Sequence, residues 1–128
     1  MIARAESARA IIDEIAADDF AAVRLDANWH STAELAEAIA IVGDAPRAAR
    51  LREMLAPYAG LVPVVGRAAL CYGPLDHHLG LLAMAAGDPA GAARHLEAAV
   101  RAGERIGATR TAAISRARLE EARAAVTP

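Results

Sequence analysis

Apolar residues recur along this chain at helical spacing, not in strand-like alternation, and the fullest instance is LGLLAMAAGDPAGAARHLEAAVRAGERIG, residues 79–107. Leu79, Leu82, Ala83 and Ala86 share one helical face, Gly87-Asp88-Pro89 interrupts it, and Ala92, Leu96, Ala99 and Val100 resume the period. Asp88 is placed to cap the second helix, with Pro89 at its first position. Gly80 and Ala92, one small residue on each helix, predict a close approach of the two backbones, with Leu96 and Ala99 filling the seam.

The same period predicts four more helices. Residues 2–18 carry Ala8, Ile11, Ile12 and Ile15 on one face. Residues 18–28, with Phe20, Val23 and Leu25, lose the period and form a connection with at most a helical turn. A helix over 28–42, capped by Asn28 or Ser31, turns Leu35, Ala36, Ile39 and Val42 inward. After Gly43-Asp44 a third helix presents Ala48, Leu51 and Leu55, and a last one over 109–126 aligns Ala112, Ser115, Leu119, Ala122 and Val126. Between Leu55 and the 79–107 unit lies APYAGLVPVVGRA, residues 56–68. Two prolines and two glycines make it an extended loop or irregular insertion, which either packs on its own helices or forms part of a binding edge.

Composition sharpens the fold class. Alanine supplies 36 of the 128 residues, and all 14 basic residues are arginine. Alanine favours helix, and with 3% aromatic residues a core must form at short interhelical distances. The net charge of −2 sets up no global field for nucleic acid or an anionic membrane. The arginines of the last third, Arg101, Arg105, Arg110, Arg116, Arg118 and Arg123, have no aromatic residue among them and read as a solvated helix face. Cys71 alone excludes an internal disulfide and suits a reducing compartment. Charges in the first twenty residues interrupt any signal-like apolar run, and the longest uncharged run, 54–66, is too short to span a bilayer. The expectation is a cytoplasmic protein. Met1 and the Thr127-Pro128 end suit a free-standing chain as well as a domain cut from a longer one.

The 79–107 unit resembles the tetratricopeptide repeat: Leu79-Gly80 stand where its first helix carries Leu-Gly, and Ala92, Leu96 and Ala99 where its second carries small, large and small. Glu104 replaces the usual closing proline. The Gly43-Asp44 and Gly87-Asp88 turns lie 44 residues apart, against about 34 for a bare repeat, and the excess falls in the insertion. The resemblance implies an all-α, tetratricopeptide-like array of antiparallel helical hairpins, a short α-solenoid of about six helices. Residues 1–28 would be an N-terminal cap helix and connection, 29–55 a first repeat, 56–72 the insertion, 73–107 a second repeat and 108–128 a closing helix. The runs DDFAAVRLDANW (18–29), LAPYAGLVPVVGRAALCYG (55–73), HHLGLLAMAAGD (77–88) and HLEAAVRAGERIGA (95–108) also resemble the C-terminal repeat region of actinobacterial multidomain ATPase/LuxR-type transcriptional regulators. The phosphate loop and recognition helix of those regulators have no counterpart here, so only their interaction region is implied.

In such repeats the first helix of each pair lines an inner groove. That places His30, Ala33 and Glu37, then His77, Leu81 and Met84, then Thr111, Ser115 and Arg118 along it. The mixture of imidazoles, one carboxylate, one guanidinium and an apolar floor suits a protein or peptide, or a small molecule, better than a nucleic acid. His77 and His78 diverge by about 100° around a helix, so they do not converge on one metal ion. Cys71 with His77 and Asp76 makes a poor nucleophile, base and orienter, since neighbours on one helix seldom aim at one atom. Cys71 reads as a small buried side chain, His95 as a partly exposed surface residue, and Trp29 as a packing anchor.

The favoured expectation is a non-enzymatic interaction module, regulatory in role, with no catalytic residue, cofactor or metal. A second expectation is a small-molecule binder or small enzyme with a pocket around His30, His77, Cys71, Tyr72 and Trp29. Homo-oligomerisation is expected from the Ala112, Leu119, Val126 face or the Ile11, Ile15 face, each lacking a following repeat.

Overall fold

The computed structural model describes residues 2–23, 28–65 and 70–126. Six helices build an all-α array: α1 (Ile2–Ala16), α2 (Trp29–Val42), α3 (Ala45–Leu55), α4 (Leu75–Ala85), α5 (Pro89–Arg105) and α6 (Thr109–Val126). Local chemistry sets most of their ends. Asn28, Asp44 and Asp88 accept from the backbone N–H groups of Ser31, Arg47 and Gly91, satisfying donors that the first turn leaves orphaned. Gly43 and Gly87 close α2 and α4 at φ +74 and +83, a left-handed conformation that glycine adopts without a Cβ penalty. Each Gly-Asp pair thereby ends one helix and starts its antiparallel partner.

The core has two centres joined by α4. Leu35, Ala36 and Ile39 of α2, Ala48, Leu51 and Leu55 of α3, and Leu75, Leu79 and Leu82 of α4 form the larger, with Ile12 and Phe20 closing its N-terminal side. Ala83, Ala92, Leu96, Leu119 and Ala122 form the smaller, between α4, α5 and α6. In the seam of the α4–α5 hairpin Gly80 meets Leu96 so closely that a Cβ on Gly80 would lie 2.5 Å from the Leu96 Cγ. Arg52 of α3 reaches the capping Asp88 at 2.9 Å, tying the first hairpin to the second.

The connection after α1 has a short 3₁₀ turn at Ala21–Val23. Asp19 and Phe20 take positive φ, 56 and 64, which reverses the chain and buries Phe20. Arg50 of α3 grips both oxygens of Asp19 at 2.9 and 2.6 Å. Leu25 lies outside the described residues. The insertion starts with a 3₁₀ turn, Ala56–Tyr58, and then pairs β1 (Val64–Val65) antiparallel with β2 (Leu70–Cys71). The tip of that hairpin, residues 66–69, also lies outside the described residues.

Three expectations on burial are corrected. Cys71 is exposed, on the two-residue strand β2. Ile11 faces solvent, since α1 turns Ile12 inward and Ile15 only partly. The apolar stripe of α6 needs no following helix: Ala112, Leu119 and Ala122 are buried within the chain, and only Val126 stays exposed. The outer side of α6 is polar, with Arg116 paired to Glu104, and Arg123 to Glu97 and Glu120. With its other apolar residues covered within the chain, that stripe offers only Val126 to a second copy.

Candidate functional site

Helices α2, α4 and α6, the first of each successive pair, lie side by side with α4 in the middle. Residues three and four apart on a helix share a face. Glu37 and Ile41 on α2, His77, Leu81 and Met84 on α4, and Ile114, Arg118 and Glu121 on α6 therefore each form a stripe, and the three stripes line one cleft of about 390 Å³. Ala40 and Ala85 complete the lining. Leu81 and Met84 give it an apolar floor. Ile41 and Ile114, among its lining residues, are 86% and 46% exposed.

The first turn of α4 organises the polar side. Three consecutive residues, Asp76, His77 and His78, are all buried, and each goes to a different neighbour. Asp76 accepts the backbone N–H of Gly60 at 2.8 Å and meets the His95 Nδ1 at 2.8 Å, pinning the insertion and α5 to α4. Burial alone would raise the Asp76 carboxyl; the His95 ring and the Gly60 N–H outweigh it, so the group lies below its usual range. His78 points to Glu37 at 3.7 Å. That ring, against the opposing effect of burial, holds the Glu37 carboxyl below its usual range.

His77 joins the cleft to the interior. Its Nδ1 lies 2.9 Å from the Oγ of Ser115, which is 0% exposed. The ring is the sole partner of that hydroxyl among the described residues. A buried O–H without an acceptor is costly, whereas an unused lone pair is cheap. Ser115 therefore donates to Nδ1, and the ring proton of His77 sits on Nε2, on the opposite edge, where it has no partner among the described residues. His77 presents an N–H donor to the cleft. Burial first, then the neighbouring His78, push its pKa down to about 4, so it is neutral near pH 7.

Of the residues that the sequence places in an inner groove, Glu37, His77, Leu81, Met84 and Arg118 line this cleft. Ser115 lies behind His77, and Ala33 is buried in α2. Thr111 sits against Gly73, where any Cβ would collide with its methyl group. His30 turns away to hydrogen-bond the Tyr72 hydroxyl and to meet Glu34 at 3.5 Å. The second set does not assemble around one pocket: Trp29 stacks edge-on against Tyr58 with ring centroids 5.3 Å apart, Cys71 is exposed, and neither lines the cleft with His77. Sequence reasoning passed over Ile41, Ile114 and Glu121. The available signal was their spacing of three or four residues from Glu37 and Arg118.

The rings of His77 and His78 stand 5.3 Å apart at 89°, and among the described residues no three His, Cys, Asp or Glu side chains converge to hold a metal ion. His95, expected to be partly exposed, is so, and its ring lies against Asp76. Ser115 is fully buried behind His77, whose imidazole is neutral near pH 7. No described helix is long and apolar enough to cross a membrane. Comparison of the chain with family models, with curated proteins and with solved structures finds no match.

Proposed function

We propose that this chain is a non-enzymatic interaction module that receives a peptide segment of another protein in the cleft between α2, α4 and α6. The single observation that carries this reading is the pair of exposed isoleucines, Ile41 of α2 and Ile114 of α6, lining one cleft of about 390 Å³ together with Leu81 and Met84. Exposed apolar side chains gathered at one concavity mark a docking site. The order of the helices supports a tetratricopeptide-like, solenoidal arrangement, with α2–α3 and α4–α5 as successive pairs and α6 as the first helix of a third, closed by its polar outer side. A regulatory role in the cytoplasm, as part of or beside an actinobacterial multidomain regulator, follows from the resemblance of the four sequence runs and is proposed on that ground.

A library of random peptides displayed on phage, panned on the purified protein, tests the reading. Peptides are expected to enrich, and their affinity to fall by about tenfold, the weight of an apolar hot spot, on the neutral double variant Ile41→Gln, Ile114→Gln. Both positions are exposed, so the fold should tolerate the change. Peptides that bind parent and variant alike, or no enrichment at all, would count against the cleft.

A further inference from the structure

We infer that the cleft, on the reading just proposed, selects a cationic partner: an apolar peptide segment carrying an arginine or lysine whose charge rests against Glu37. Three ionised side chains line the cleft, and they do not cancel. Arg118, the one cation in its lining, is occupied by Glu121, whose two oxygens accept from its Nη1 at 3.1 and 2.9 Å. Among the described residues Glu37 faces an imidazole at 3.7 Å and no arginine, with 54% of its side chain exposed. The remaining charge is therefore a single carboxylate at the mouth of the cleft.

The same sign continues outward. Glu34, one turn before Glu37 on α2, is 62% exposed and is likewise met by an imidazole, that of His30. Tyr72, beside that pair, has its phenol pushed up by desolvation and then by Glu34 and Glu37, so both carboxylates act on one region. An anionic segment entering here would meet Glu37, with Glu34 one turn away, and like charges brought together oppose binding. A basic side chain over Glu37 gains a charge-assisted hydrogen bond, while its neighbours fill the floor of Leu81 and Met84. The Nε2–H of His77 then finds a backbone carbonyl of the same segment.

The test is the residue content of peptides that bind the parent and are lost on Ile41→Gln, Ile114→Gln. An excess of Arg and Lys over Asp and Glu is expected. Glu37→Gln should weaken those peptides by about tenfold, and Glu37→Arg should shift a fresh selection toward acidic sequences. Melting curves that match the parent would show that both variants fold. Cleft-dependent peptides with no basic excess, or indifferent to Glu37→Gln, overturn this inference and leave the cleft standing. Failure to obtain any cleft-dependent peptide removes both.

Discussion

Gly80→Val is expected to destabilise the protein by about 3 kcal/mol, although glycine is the weaker helix former at an interior helical position. Exchanging glycine for most residues there returns a few tenths to about 1 kcal/mol of helix propensity. The cost of space is larger. A first side-chain carbon at Gly80 would lie 2.5 Å from the Cγ and 2.8 Å from the Cδ2 of Leu96, which is 0% exposed and has no room to retreat. The branched methyls of valine add to the collision. Leu96→Ala alone should cost about 2–5 kcal/mol, because it leaves a cavity in the smaller core. Combined, the two changes should cost clearly less than their sum, since each relieves the fault of the other. Urea denaturation of the four proteins measures this, and strict additivity would show that α4 and α5 do not meet at this register. The seam matters beyond stability, because it fixes the rotation of α4, the helix that brings His77, Leu81 and Met84 to the cleft.

Acid should weaken the protein through His77 before the carboxylates contribute. The ordinary histidine pKa is 6.5, and in the folded chain burial and the nearby His78 depress it to about 4. Glu37 from α2 opposes that shift and Arg118 from α6 adds to it. Because the folded state binds the proton less readily than the unfolded chain, the stability held by a neutral His77 is complete above pH 6.5. It is lost as the pH falls toward 4 and changes no further below. A depression of this size corresponds to about 3 kcal/mol. The carboxyls of Glu37 and Asp76 lie below their usual 4.5 and 3.8, so their contributions fade only at lower pH. His77→Asn keeps an acceptor for the Ser115 hydroxyl and removes the titration. Its denaturation midpoint should vary less between pH 6.5 and 4.5 than that of the parent, whatever its absolute stability. Equal slopes would place the acid-sensitive group elsewhere.

Much of the fold was legible because it rests on local rules. Spacing and caps placed α2 and α6 within about a residue of their ends, which is as well as such boundaries can be read. Gly80 opposite Leu96 followed from small residues at helical spacing. The residues that reach the cleft were partly legible for the same reason: once helices are paired, a face is a matter of counting by three and four, and Glu37, His77, Leu81, Met84 and Arg118 fall on one. What escaped depends on contacts distant in sequence. Ser115 falls on the inward stripe of the last helix by spacing, but its partner, the His77 ring 38 positions away, could not be read from it. Asp76 looked like a candidate ligand or orienter and instead ties Gly60 and His95 to α4. Phe20 lies in a stretch without period, and only the left-handed turn at Asp19 and Phe20 brings it into the core. Cys71 follows an apolar residue and reads as buried, but it lies on a two-residue strand and is exposed.

The most direct measurement of the central claim is a methyl NMR titration of methionine-labelled protein with a peptide obtained by panning. The chain contains three methionines. Met84 lines the cleft, whereas Met54 packs against the larger core under α3 and serves as an internal reference. Docking between α2, α4 and α6 predicts a saturable shift of the Met84 methyl signal, with Met54 unmoved, and loss of that shift in the Ile41→Gln, Ile114→Gln variant. A peptide that binds while Met84 stays fixed would place the interaction surface elsewhere on the molecule and contradict the account.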